Sequence, residues 1–346
     1  MAEIRAVRWD GEAIVLIDQT RLPGEEVTVT CATVDSLVDA IVRLVVRGAP
    51  ALGAVGGYGV AMAMLQGQRE AWDAAELDRA IDRIRDARPT AVNLAWGVDR
   101  VRPLVPEGID VVVAAADRIA GGDEAANREL SRKGADWILA NTTHRPLRVL
   151  THCNTGSLAT TAWGTALGIV RELHERGVVE VVHADETRPL LQGSRLTSWE
   201  LTHDGIPHVV QADSAAASTI LRGLIDVAII GADRIARNGD TANKIGSVGV
   251  ALACVEAGVP FVVAAPSSTV DLATESGDDI EIELRDGSEV TAFGGVQVAP
   301  DKAAGYNPAF DVTPARMISA IVTEQGVVEP AVHSSVESLV AQEAGA

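Results

Sequence analysis

From Leu147 onward the chain repeats one pattern: a short run of Val, Ile and Leu that stops abruptly in a small or polar cluster. The runs are RVLTHC, VVEVVHADE, PHVVQAD, DVAIIGAD and PFVVAAP. Each is too short to be a helix, and each of the first three is followed by a stretch of helical length and spacing. Strands that are apolar on both faces and alternate with helices imply a parallel sheet covered on both sides. In an open sheet of that kind ligands bind outside the carboxyl ends of the strands. Those ends read Thr151-His152-Cys153-Asn154, His183-Ala184-Asp185-Glu186-Thr187, Gln211-Ala212-Asp213, Gly231-Ala232-Asp233-Arg234 and Ala264-Ala265-Pro266-Ser267. Polar residues therefore recur along one edge of the sheet.

Residues 1–145 read differently. Alternation in AIVLIDQ and VTVTCATV, broken at Leu22-Pro23-Gly24, predicts a small antiparallel unit. Helical spacing then predicts helices over 35–46, 71–87, 91–102 and 110–140. The expected fold class is α/β: a mostly helical N-terminal domain with a small β unit over 1–145, then a Rossmann-like catalytic domain over 146–346. With aromatics at 3%, the core must be built from Ala, Val, Leu and Ile. A net charge of −19 argues against nucleic acid and anionic membrane as partners, since both demand clustered cations. Three cysteines without metal spacing fit a reducing compartment, and the start of the chain has no signal-peptide pattern, so a cytoplasmic location is expected. Residues 48–68 are uncharged, but rich in Gly and Ala, and read as a buried helix rather than a membrane span.

Cys153 stands where a strand is expected to pass into a helix, whose backbone N–H groups and dipole would favour a thiolate; a small buried hydrophobe is the alternative. Cys31 and Cys254 lie in apolar patterns and read as core. Asp233 follows VAIIGA, where burial would raise a carboxyl's pKa and suit it to donate a proton; a helix N-cap or an ion pair with Arg234 or Arg237 competes with that reading. Asn243 and Lys244 supply an amide and a cation suited to a sugar hydroxyl and a phosphate. Arg47, Gly48 and Ala49 open a helix and could hold a phosphate there, with Arg88 as a second cation. The histidines show no metal-binding pairing and the glycines no dinucleotide fingerprint, so neither a metal nor another cofactor is expected.

The segments DQTRLP, VRGAPALGAVGGYG, RPTAVNLAWGVDR, THCNTGSLATTAWGTALG, ADETRPLLQGSRLTSWEL, GADRIARNGDTANKIGS, FVVAAPSSTVD and NPAFDVTP resemble the methylthioribose-1-phosphate isomerase family, in order, over nearly the whole chain. The wider superfamily includes ribose-1,5-bisphosphate isomerases and regulatory subunits of a translation-initiation exchange factor. The resemblance implies Cys153 and Asp233 as the catalytic pair. It also implies substrate contacts at Arg47, Gly48, Ala49, Arg88, Gln192, Asn243 and Lys244, and conversion of 5-methylthioribose 1-phosphate to its ketose in methionine salvage. LRDGSEV near residue 287 departs from the family's longer turn, which affects loop detail. A homodimer is expected from family precedent and the uncharged stretch. The competing readings are isomerisation of 5-deoxyribose 1-phosphate or ribose 1,5-bisphosphate, and a non-catalytic sugar-phosphate-binding subunit.

Overall fold

A computed structural model describes residues 3–89, 92–330 and 336–340. The chain divides into two compact units, Met1–Ala126 with Thr155–Gly164, and Asn127–Asn154 with Thr165–Ala346.

The first unit opens with β1 (Val7–Trp9), β2 (Ile14–Ile17) and β3 (Thr28–Cys31), an antiparallel sheet in that order. Thr33 and Ser36 cap each other's backbone N–H groups at the start of α1 (Val34–Val42), and Asp73 with Glu76 do the same for α3 (Ala74–Arg85). Between them runs α2 (Ala49–Glu70), followed later by α4 (Val92–Val101). Nearly every side chain of α2 from Ala51 to Gly67 is buried, as the Gly/Ala composition implied. Among the described residues no helix is long and apolar enough to cross a membrane. The glycines let helices meet at backbone distance: a Cβ on Gly97 of α4 would lie 2.0 Å from the Gly53 carbonyl oxygen of α2. The long α5 (Ile109–Asn141) contributes its first part to this unit and its last part to the second.

The second unit is built on β4 (Leu147–Thr151), β5 (Val179–Asp185), β6 (His208–Gln211), β7 (Val227–Ile230), β10 (Phe261–Ala264), β15 (Ala320–Val322) and β16 (Val327–Val328). They form one sheet in the order β16-β15-β10-β7-β4-β5-β6, parallel except for β16. Because successive side chains point to opposite faces, the central strands β4, β7 and β10 each feed two cores. Val149, Val227, Ile229, Val262 and Ala264 pack with the end of α5 and with α6 (Ala166–Glu175). Leu150, Ala228, Ile230, Phe261 and Val263 pack with α8 (Ala216–Leu221) and α9 (Ser247–Ala257). The two-sided covering predicted from the apolar runs holds for β4, β7 and β10, whereas Val209 and Val210 of the edge strand β6 are exposed. Cys31 and Cys254 are fully buried, and burial pushes their thiols up to about 11 and about 12.

A second sheet was not anticipated. Strands β8 (Arg234–Ala236), β9 (Thr241–Lys244), β11 (Val270–Asp271) and β14 (Phe310–Thr313) pair in the order β11-β8-β9-β14. Each is too short to show a period in the sequence. Among the described residues the remaining α-helices and strands are α7 (Ser198–His203), α10 (Ser288–Thr291) and the hairpin of β12 (Ala292–Phe293) with β13 (Val296–Gln297).

Candidate active site

Three of the nine predicted site positions, Cys153, Gln192 and Asp233, follow the carboxyl ends of parallel-sheet strands, and two more, Asn243 and Lys244, end β9 of the second sheet. Strands β4 and β7 are neighbours, with Leu150 beside Ala228, so Cys153 and Asp233 leave the sheet from adjacent strands at the same edge. Arg47, Gly48, Ala49 and Arg88 belong to the first unit. There Gly48 caps α2, Ala49 begins it with Pro50 in its first turn, and Arg47 and Arg88 are half-buried.

Cys153 is 7% exposed and adopts φ +65°, a left-handed conformation that costs a residue with a side chain about 1–2 kcal/mol. Two hydrogen bonds hold it there. Its N–H donates to Thr187 Oγ1 at 2.9 Å, and its carbonyl accepts from Thr197 Oγ1 at 2.6 Å. Strain enforced by surrounding contacts is common at functional sites. The helix expected directly after this strand starts only at Ala166, because 154–165 forms turns and bends, so the helix-dipole part of the expectation fails.

Thr187 belongs to the loop leaving β5, and that loop is itself strained, with Thr187 at φ +65° and Leu191 at +58°. Asp213, after β6, fastens it by accepting from the N–H groups of Thr187 at 2.7 Å and Arg188 at 2.6 Å. The loop ends in Gln192, 5% exposed, whose Oε1 is buried with no hydrogen-bond partner among the described residues. Such an acceptor is costly unless something binds it. Gly193 follows, where a Cβ would lie 1.6 Å from the Asp185 carbonyl oxygen.

Asp233 follows the end of β7, and its N–H donates to Ala242 O at 2.9 Å, which ties it beside Asn243. Its side chain is exposed, so the burial expected at this strand end is not found. The reason is local: after β7 the chain swings into the β8–β9 hairpin instead of entering a helix that would cover it. Asn243 is buried and donates to Ser247 Oγ at 2.9 Å. Lys244 Nζ donates to Ala309 O at 2.8 Å and lies 4.3 Å from the centre of the Phe310 ring. Opposite Asn243 on β14 stands Asp311. Its Oδ2 accepts from Gly246 N–H at 2.8 Å and Val248 N–H at 3.2 Å at the start of α9.

Sequence reasoning passed over the buried groups beneath this edge. His152 and Asp185 are each 1% exposed and 3.0 Å apart, and Gln211 Nε2 donates to the other Asp185 oxygen at 2.8 Å. Burial alone would lower the His152 pKa; the Asp185 carboxylate outweighs it and raises it. Burial raises Asp185 and Asp311 above the usual carboxylate value. His152, Asp185 and Asp213 present ligand-type atoms within 4.8 Å of one another, an arrangement already knitted by the hydrogen bonds above. The only sequence signal for these residues was the density of polar side chains at strand ends.

The model of the Initiation factor 2 subunit family matches residues 45–330. A methylthioribose-1-phosphate isomerase from Gloeobacter violaceus is 48% identical over 336 residues, spanning 95% of this chain and 94% of that protein. A protein from Nocardia farcinica, named a probable bifunctional methylthioribose-1-phosphate isomerase/methylthioribulose-1-phosphate dehydratase, is 52% identical over 93% of this chain, which spans 59% of its length. Among crystal structures, the 5-methylthioribose 1-phosphate isomerase of Pyrococcus horikoshii OT3 superposes with a TM-score of 0.86 at 39% identity, covering 94% of this chain and 93% of that one. A structure from A. fulgidus described as translation initiation factor eIF-2B, subunit delta, also gives 0.86, at 40% identity, covering 97% of this chain and 99% of that one. Family match, relatives and fold agree: the chain belongs to the Initiation factor 2 subunit family, among its members related to methylthioribose-1-phosphate isomerases.

Proposed function

We propose that the protein isomerises 5-methylthioribose 1-phosphate to 5-methylthioribulose 1-phosphate, with Asp233 as general acid and Cys153 as thiolate base. The observation that carries this reading is near full-length similarity to the Gloeobacter violaceus isomerase, at 48% identity, in a chain that has a thiol and a carboxyl on adjacent strand ends. Phosphate on C1 prevents the sugar from opening as a free aldehyde. Asp233 therefore protonates the ring oxygen as its bond to C1 breaks. Cys153 takes the C2 proton to give an enol-type intermediate, and the thiol exchanges that proton with solvent. A proton is then delivered to C1 as the C2 hydroxyl gives up its own to form the ketone and restore Asp233. Bound substrate would exclude water from the exposed Asp233 and supply the desolvation that the free site lacks. Arg47, Gly48, Ala49, Arg88, Gln192, Asn243 and Lys244 are the substrate contacts that the family resemblance implies. Lys244 brings a cation already oriented by Ala309 and Phe310.

The chain would work as a cytoplasmic homodimer. Leu221 of α8 and Leu252 and Val255 of α9 are all more than half exposed, which suits a subunit contact. The A. fulgidus likeness supports a second reading, a non-catalytic subunit that binds a phosphorylated ligand. Turnover assays on 5-methylthioribose 1-phosphate, 5-deoxyribose 1-phosphate and ribose 1,5-bisphosphate separate the readings. Preference for the first is expected, and no turnover of any of them would leave the binding subunit. Run in deuterated water, the proton route places solvent deuterium at C1 of the product. Full retention of the substrate's C2 hydrogen would replace that route with a hydride shift.

A further inference from the structure

The residue before Cys153 joins three of the segments that carry the proposed site. His152 Nδ1 lies 3.0 Å from Asp185 Oδ2, and Nε2 lies 2.8 Å from the Ile245 carbonyl oxygen. A carbonyl can only accept, so Nε2 bears a hydrogen and donates it. Facing a carboxylate on its other side, the ring satisfies both contacts with ionic character as an imidazolium.

Each contact reaches a different strand end. Asp185 closes β5 and opens the loop that holds Thr187 and ends in Gln192. His152 itself continues β4 into Cys153, and Ile245 follows directly on Asn243 and Lys244 in β9. The turn at Ile245–Val248 is fastened from the far side as well. Ile245 N–H donates to Ala309 O at 3.1 Å, and Asp311 accepts from Gly246 and Val248. Gly246 has φ +109°, and a Cβ there would come within 2.8 Å of His152 Cε1, so the ring lies flush against this turn.

We propose that His152 is a positioning residue for the isomerisation, holding the Asn243–Lys244 strand end and the Asp185–Gln192 loop in fixed places around Cys153. This rests on the function proposed above. The charged groups facing the ring are Asp185 from β5, Asp213 after β6 and Asp311 from β14, with the Cys153 thiol next in sequence. They favour the charged ring and outweigh its burial. The sign follows: a raised histidine contributes stability that is complete below its unfolded value and is lost as pH rises through the folded one.

Two measurements test this. Imidazole nitrogen NMR on the ligand-free enzyme needs no substrate; it should show His152 protonated at both nitrogens at pH 7, and a neutral ring would overturn the proposal. Steady-state kinetics then compare His152→Leu with His152→Gln, whose amide can still donate to Ile245. Misplaced catalytic groups cost about tenfold to a hundredfold in kcat, so the Leu variant should lose that much and the Gln variant should recover part of it at equal folded fraction. Should the Leu variant not fold, Asp185→Asn substitutes for it, and the alkaline limb of its kcat profile should move to lower pH. Equal kcat in the Leu and Gln variants, or an unmoved limb in Asp185→Asn, would sink the proposal. A wild type that turns over no sugar phosphate defeats the isomerase reading, whereas a neutral His152 ring in an active enzyme defeats the clamp alone.

Discussion

The two ends of the parallel sheet are both polar, and they handle that polarity in opposite ways. At the amino end, Arg148 grips Asp226 through Nε at 3.0 Å, Nη2 at 2.7 Å and its own N–H at 2.8 Å, tying β4 to β7. Burial pushes the Asp226 carboxyl up, and Arg148 overcomes this and holds it below the usual carboxylate value. At the carboxyl end, Cys153, Thr187 and Leu191 sit in left-handed conformations, while Gln192 Oε1, Thr151 Oγ1 and Asp311 Oδ1 are buried without hydrogen-bond partners among the described residues. One end is arranged for stability. The other stores strain and spare hydrogen-bonding capacity, as a ligand site does.

That contrast can be broken at several points. The largest effect belongs to the carboxyl end: Cys153→Ser and Asp233→Asn should each lower kcat by at least about a hundredfold while urea midpoints stay near wild type. Substantial turnover by either variant would remove that residue from the chemistry. Gly193→Ala, which drives a methyl group into the Asp185 backbone, should cost about 3 kcal/mol in urea unfolding and depress turnover too. At the amino end, Asp226→Asn should cost about 1.5 kcal/mol and leave kcat within about twofold, as expected of a group that touches no reacting atom. Because the Asp226 pKa is depressed on folding, this loss should be full above its unfolded value near 4 and fade as pH falls through the folded one. A loss unchanged at pH 3 would show that Arg148 is not its source. Smallest is Gly177→Ala, ahead of β5, where a Cβ meets open space but φ is +71°; about 1 kcal/mol is expected, with kcat untouched.

Much of this edge was legible because apolar runs and their polar ends leave a direct trace in sequence. Helical periodicity placed α1 to α5 within a few residues. It could not say which unit each part of α5 packs against, since an amphipathic face does not name its neighbour. The β8–β9 hairpin was hidden because three or four residues cannot display an alternation. With it went the expected cover over Asp233. His152, Asp185 and Asp213 were visible as polar letters, but their mutual engagement depends on the lateral order β4-β5-β6, which no local pattern encodes. The strain at Cys153 was equally unreadable, since it is imposed by Thr187 and Thr197, far away in sequence.

The contact between Gly53 and Gly97 has a consequence for how this protein can change over time. Where side chains separate two helices, a methyl group more or less is absorbed by rotamer shifts, and tolerance declines gradually. Here backbone meets backbone at two places, since a Cβ on Gly56 would likewise come within 2.5 Å of Leu94 O. At these two contacts the nearest atoms are backbone, and no rotamer can yield. Variation at these positions is therefore all or none, and the helix that begins at Ala49 inherits a spacing that drift in neighbouring residues cannot retune.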